Sequence, residues 1–170
     1  MTGVRVEIVD VYVLRFGPAE EKAMLGPVKP KPQGGPEVLV LRRAAGLRSP
    51  GTWESVHGHV VPDERPVDAA VRELREETGL EASRLYNLSR VESFYLHGRD
   101  LLALIPAFCA IVPAGAVVRL SEEHDRSEWV QPEEAARRFF WPREKRALGD
   151  ALALFGGGDA GGAEDVLRIL

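Results

Sequence analysis

A chain of 170 residues has room for one domain with a sizeable core. A hydrophobic share of 45% with 28% charged residues excludes a wholly disordered chain. A net charge of −4 excludes the basic excess of a general nucleic-acid binder or of a polybasic membrane anchor. The single cysteine, Cys109, excludes an internal disulfide and a Cys-rich zinc site. No apolar run reaches the ~20 residues of a membrane span. The first ten residues, MTGVRVEIVD, place charge where a secretory signal needs an apolar stretch, so a cytoplasmic setting is expected. No nucleic-acid or membrane partner is expected, and a homodimer is left open.

Residues 4–16 are rich in Val and read as a first strand. Residues 17–36 contain five Pro and four Gly and read as a long connection. The run 37–42, EVLVLR, is a second strand, near-continuously apolar and so expected to be buried. Residues 53–56 form a short extended piece entering a turn at Gly58. A helix is expected over 66–78, with Pro66 at its first position and Gly79 as its stop. Its core stripe reads as Val67, Ala70, Val71 and Leu74.

Strands follow at 88–95 and 101–112, joined by a polar turn at 97–100, with shorter strands at 116–120 and 128–130. The loop 121–126 between the last two is strongly acidic. A helix pair at 132–140 and 143–155 breaks at Trp141-Pro142. The stretch 156–163, GGGDAGGA, reads as a linker, and 164–170 as a tail that docks as a short helix or frays. Strands before and after one helix, with helices at the end, give an α/β class: a mixed sheet covered by helices. The expected domain is 1–155, with 156–170 as a Gly-rich linker and tail.

The chemistry concentrates in residues 58–80, GHVVPDERPVDAAVRELREETGL. Glu73, Glu76 and Glu77 lie three or four residues apart and share a face of the helix. Like charges at that spacing repel, unless hard cations neutralise them. Mg²⁺ takes oxygen ligands and commonly bridges carboxylates to substrate phosphates. The same three residues alone would also suit a solvated acidic face. The rest of the segment separates the two readings. Gly58 is followed by five residues, then Glu64, then seven residues, then Arg72-Glu73-Leu74-Arg75-Glu76-Glu77-Thr78-Gly79-Leu80.

That pattern, G-x5-E-x7-R-E-U-x-E-E-x-G-U with U apolar, resembles the Nudix box at every fixed position. The resemblance implies a Nudix-type α/β/α sandwich and hydrolysis of a nucleoside diphosphate linked to another group. It implies that Glu73, Glu76 and Glu77 bind metal, that Gly58 offers its carbonyl, and that Glu64 also reaches a metal. Arg72 would orient a box carboxylate, Glu64 or Glu73, by a charged hydrogen bond. The implied cofactor is Mg²⁺, or Mn²⁺ in its place. Two or three such ions neutralise the phosphates and lower the pKa of a bound water. Little covalent work is then left to the protein, and no Ser or Cys nucleophile is needed. Cys109 lies in an apolar strand and reads as core.

Upstream, Arg42, Arg43, Trp53, Ser55, Val56 and Gly58 resemble the dATP and dihydroneopterin-triphosphate pyrophosphohydrolase branch. Downstream, the Glu123-His124 pair and the Trp129 strand resemble the same branch. The resemblance implies a Mg²⁺-dependent pyrophosphohydrolase of nucleoside or pterin triphosphates, with a small-molecule nucleotide as partner. Hydrolysis of dinucleoside polyphosphates or another NDP-X is the alternative. ADP-ribose is disfavoured because the Pro expected some 15 residues beyond the box is absent. A non-catalytic Nudix-fold regulator is a further alternative, against which all four box carboxylates stand. Arg42 and Arg43 are candidate phosphate contacts, His57 a candidate substrate contact and Tyr95 a candidate base-stacking residue. Catalysis is assigned to Glu73 and Arg72, with Glu123 as the carboxylate outside the box that holds the attacking water.

Overall fold

A computed structural model describes residues 2–17, 35–155 and 159–170. Residues 18–34 of the expected connection and 156–158 of the Gly-rich linker lie outside the described residues. Among the described residues eight strands form one mixed sheet: β1 (Gly3–Val6), β2 (Ile8–Arg15), β3 (Glu37–Arg43), β4 (Trp53–Glu54), β5 (Val56–His59), β6 (Arg84–Leu96), β7 (Leu101–Ile111) and β8 (His124–Val130). The helices are α1 (Pro66–Thr78), α2 (Pro132–Arg138), α3 (Pro142–Phe155) and the short α4 (Glu164–Leu167). Strand β7 pairs in parallel with β1 and β2 and antiparallel with β6. On its other edge β2 meets β5 and β3, and β3 in turn meets β4 and β8.

Alternation along the central strands supplies both faces of the sheet. On one face Val9, Val11, Val13, Leu39 and Leu41 pack against Ala69, Ala70 and Leu74 of α1. On the other Tyr12, Leu14, Val38 and Val40 pack against Phe139, which follows α2, and Leu148 and Phe155 of α3. This is the expected α/β/α sandwich. Leu167 of α4 joins the second face, and Ile169 N–H donates to the Leu85 carbonyl at 2.8 Å, so the tail docks. Cys109 is buried there, and burial pushes its thiol pKa up, as suits a core residue.

Several expected elements are corrected. The first strand is interrupted at Glu7. Val6 pairs with Leu104 and Asp10 with Ala107, so three residues oppose two and the chain bulges. Gly58 lies within β5, opposite Val9, rather than in a turn. The strand expected at 88–95 begins at Arg84, and the one expected at 128–130 begins at His124. No strand forms over 116–120. There the backbone serves the end of α1: Arg119 N–H donates to the Thr78 carbonyl at 2.7 Å and Ser121 N–H to Glu77 at 3.2 Å. These bonds satisfy carbonyls that a helix end leaves without partners.

Helix α1 begins at Pro66 and ends at Gly79, whose φ of 67° is the left-handed conformation that glycine adopts without penalty. Its core stripe is rotated from the expected one. Ala69 is buried and Val71 is 41% exposed. The stripe continues Ala70, Leu74, Glu77 at i, i+4, i+7, which carries a carboxylate into the interior.

Candidate active site

The pairing of β5 with β2 brings Gly58 against the side of α1. A Cβ at Gly58 would overlap the Glu73 side chain, so glycine lets Glu73 keep this orientation. Arg72, one residue earlier on α1, fans out over the box. Its Nε and Nη2 donate to the two oxygens of Glu64, each at 2.9 Å. Its Nη1 donates to Glu73 at 2.7 Å and to Glu76 at 3.0 Å, and Nη2 also reaches the His59 carbonyl at 2.8 Å. The expected partners Glu64 and Glu73 are both engaged, and Glu76 is a third. The Arg72 hydrogen bonds hold the Glu64 carboxyl below its usual pKa.

The three helix carboxylates do not share one environment, as the spacing had implied. The Glu76 side chain is 55% exposed, while Glu73 is 13% and Glu77 only 4% exposed. Burial, then the charges of Glu73, Glu123 and Glu54, push the Glu77 pKa up to about 9. One of its oxygens accepts a 3.4 Å hydrogen bond from His57 N–H. The other is buried with no hydrogen-bond partner among the described residues, 3.7 Å from His124 Nδ1.

Among the described residues no three His, Cys, Asp or Glu side chains stand together as a ready metal site; three of the box carboxylates are turned to Arg72 instead. The donor set nevertheless suits a hard cation. It is all oxygen, it includes a buried Glu77 oxygen without a partner among the described residues, and the Glu73 side chain lies directly against the Gly58 backbone.

A cleft of about 600 Å³ opens over these groups. Arg43, Glu54, His57, Gly58, Glu73 and Glu123 line it. Strand alternation separates the expected Arg pair. Arg43 lines the cleft and donates to Glu54 at 2.9 Å, whereas Arg42 lies outside the lining and pairs with Asp125 at 2.7 Å. Tyr95 also lies outside the lining and donates its hydroxyl to Asp100, while its neighbour Phe94 lines the cleft. Glu123 reaches the cleft, 3.7 Å from Arg43, and Glu122 does not.

Sequence reasoning missed a buried polar group behind this wall. Asp10, 1% exposed, sits amid the apolar residues of β2. It is paired with His57 Nδ1 at 2.5 Å and accepts from Arg143 Nε at 3.0 Å. Burial raises its pKa, but His57 and then Arg143 outweigh that and hold it below the usual value. Glu54 is likewise buried, between Arg43 and His124 Nε2 at 3.1 Å. Glu144 accepts from Ser55 N–H at 2.8 Å and from Trp141 N–H at 3.1 Å. That ties the start of α3 to the residue between β4 and β5. Burial, then Asp10, push the Glu144 pKa up to about 7. The only sequence signal for this group is an acidic residue inside a Val-rich strand; its partner Arg143 stands 133 residues away.

The NUDIX domain model matches residues 30–150. A bis(5′-nucleosyl)-tetraphosphatase (asymmetrical) of Mus musculus is 34% identical over 103 residues, 59% of this chain and 68% of the mouse protein. A CTP pyrophosphohydrolase of Escherichia coli K12 is 33% identical over 119 residues, 69% of this chain and 84% of that protein. The structure of a C. elegans Ap4A hydrolase binary complex superposes with a TM-score of 0.67 at 22% identity, covering 89% of this chain and 98% of that one. No helix of the described residues is long and apolar enough to cross a membrane.

Proposed function

The chain belongs to the Nudix hydrolase family, and from that premise we propose that it is a Mg²⁺-dependent pyrophosphohydrolase of nucleoside triphosphates, pterin triphosphates included, yielding the monophosphate and pyrophosphate. The observation that carries this reading is the gathering of Glu64, Glu73 and Glu76 by Arg72 beside Gly58, with Glu73 and Gly58 on the cleft wall and Glu64, Arg72 and Glu76 behind it. Glu73, Glu76, Glu77, Glu64 and the Gly58 carbonyl would hold the cation. Once bound, it supplies charge neutralisation of the phosphates and a more acidic water.

The protein's own residues do the positioning. Arg72 fixes the carboxylates from behind, so that their oxygens keep one orientation. Arg43, held by Glu54, offers a cation to the phosphate chain. Glu123 stands outside the box, on the cleft rim, and is assigned to hold the attacking water and accept its proton. Carboxylates bound to a cation are poor proton acceptors, which favours a base from another element.

The similarity to the mouse tetraphosphatase favours one second reading, cleavage of dinucleoside polyphosphates. A panel of nucleoside triphosphates, diadenosine tetraphosphate and ADP-ribose, with products separated by anion exchange, decides between them. Monophosphate plus pyrophosphate from triphosphates, at the highest kcat/KM of the panel, is the expected result. A far higher kcat/KM for diadenosine tetraphosphate would replace the first reading by the second.

A further inference from the structure

Beside its carboxylates, the cleft lining has a second chemistry. Phe94 and Trp141 meet edge to face, ring centroids 6.3 Å apart, and Ile8, Leu96 and Ile105 line the same space. Phe94 stands on β6 and Gly58 on β5, with β7 and β2 between. They lie on strands that do not pair with each other. Metal chemistry and aromatic surface therefore occupy different parts of one cleft. Arg143 joins them. Its guanidinium carbon lies 5.3 Å from the Trp141 ring centre, and its Nη2 is 3.4 Å from His57 Nδ1.

Two features make Arg143 a reader of hydrogen bonds more than a holder of phosphate. Its charge is already offset by the buried Asp10 carboxylate, to which Nε donates at 3.0 Å. Nε is thus committed and Nη2 turns one N–H toward His57 Nδ1 at 3.4 Å, which leaves Nη1 and the second N–H of Nη2 as the fork beside an aromatic platform. Arginine has donors only, so a matching ligand edge must present two neighbouring acceptors. Guanine does so with O6 and N7. Adenine sets an N6 amino donor beside N7, which would face a guanidinium N–H with another donor.

We propose that Arg143, anchored on Asp10 and laid against Trp141, reads the base of the bound nucleotide and selects guanine over adenine. This rests on the nucleotide reading above and adds a base preference to it.

The test uses binding without metal or turnover, so that it can fail independently of the hydrolysis reading. The full chain in excess EDTA is titrated with GMP, AMP and 7-deaza-GMP by calorimetry. GMP is expected to bind roughly tenfold or more tighter than AMP, the scale of one bidentate base contact. 7-deaza-GMP, which lacks the N7 acceptor, should fall to the level of AMP. Arg143→Lys keeps a charge for Asp10 and removes the fork; it should erase the GMP advantage and leave AMP binding unchanged. Equal binding of GMP and AMP, no binding of either at millimolar concentration, or 7-deaza-GMP binding as well as GMP would each overturn the proposal on the unmutated protein. So would an Arg143→Lys variant that keeps the GMP preference, or one that weakens both nucleotides equally, which would make Arg143 a phosphate contact.

Discussion

Replacing Glu77 by Gln in the metal-free protein should stabilise the fold while destroying activity. Glu77 is 3% exposed, and its pKa rises from 4.5 to about 9 on folding. Its raised folded pKa means the native state binds the proton more tightly than the unfolded chain. Its contribution to stability is therefore full below pH 4.5, falls as pH rises from there, and levels off above about 9. At pH 7 the difference of 2.5 pH units from 4.5 corresponds to about 3 kcal/mol lost relative to an uncharged side chain. At pH 5 the loss is under about 1 kcal/mol. Glutamine escapes it, and its amide NH₂ faces His124 Nδ1, a buried atom without a partner among the described residues. For a domain of this size, 3 kcal/mol raises Tm by roughly 6–12 °C. Scanning calorimetry of both proteins in EDTA at pH 5 and pH 7 measures the gain and its growth with pH. A folded Glu77→Gln variant with Tm unchanged or lowered at pH 7 would refute the burial argument. Near-normal kcat/KM with Mg²⁺ would refute its role as a metal ligand.

Glu123→Gln should lower kcat at least tenfold with KM little changed, the mark of an interaction made in the transition state. Glu122→Gln, outside the cleft lining, should be silent in the same steady-state assay, and reversed effects would assign the role to the other glutamate. Gly58→Ala should weaken metal binding and cost at most about 1 kcal/mol of stability, because the new Cβ displaces the outer part of the Glu73 side chain from Arg72. Denaturant titration and Mn²⁺ binding measure the two effects, and a variant normal in both would contradict the close approach of β5 to α1.

The box was readable because its logic is local. Arg72 meets Glu64, Glu73 and Glu76 within eight residues along the chain, so the whole arrangement falls inside the motif whose resemblance implied it. The burial of Glu77 was not foreseen: the expected core stripe ends at Leu74, and it continues through Ala70 and Leu74 to Glu77. What else failed was long-range. Residues 116–120 have strand composition, yet the end of α1 claims their backbone donors. Arg42 and Arg43 look alike in sequence, and strand parity decides that only Arg43 enters the cleft. Phe94 and Tyr95 are divided in the same way. Asp10, Glu54 and Arg143 could not be found by motif. Each is a charge whose burial is tolerable only through a partner remote in sequence, and no local pattern names that partner.

The central claim is that the carboxylates around Arg72 serve a bound divalent cation on which hydrolysis depends. The most direct measurement strips the enzyme with chelator, removes the chelator, and adds Mn²⁺ stepwise while recording both bound Mn²⁺ by electron paramagnetic resonance and the release of pyrophosphate from a nucleoside triphosphate. Turnover should be absent at the start and rise with occupancy, and Glu73→Gln should lower both together. Full turnover in the stripped enzyme, or Mn²⁺ binding unchanged by Glu73→Gln, would contradict the account.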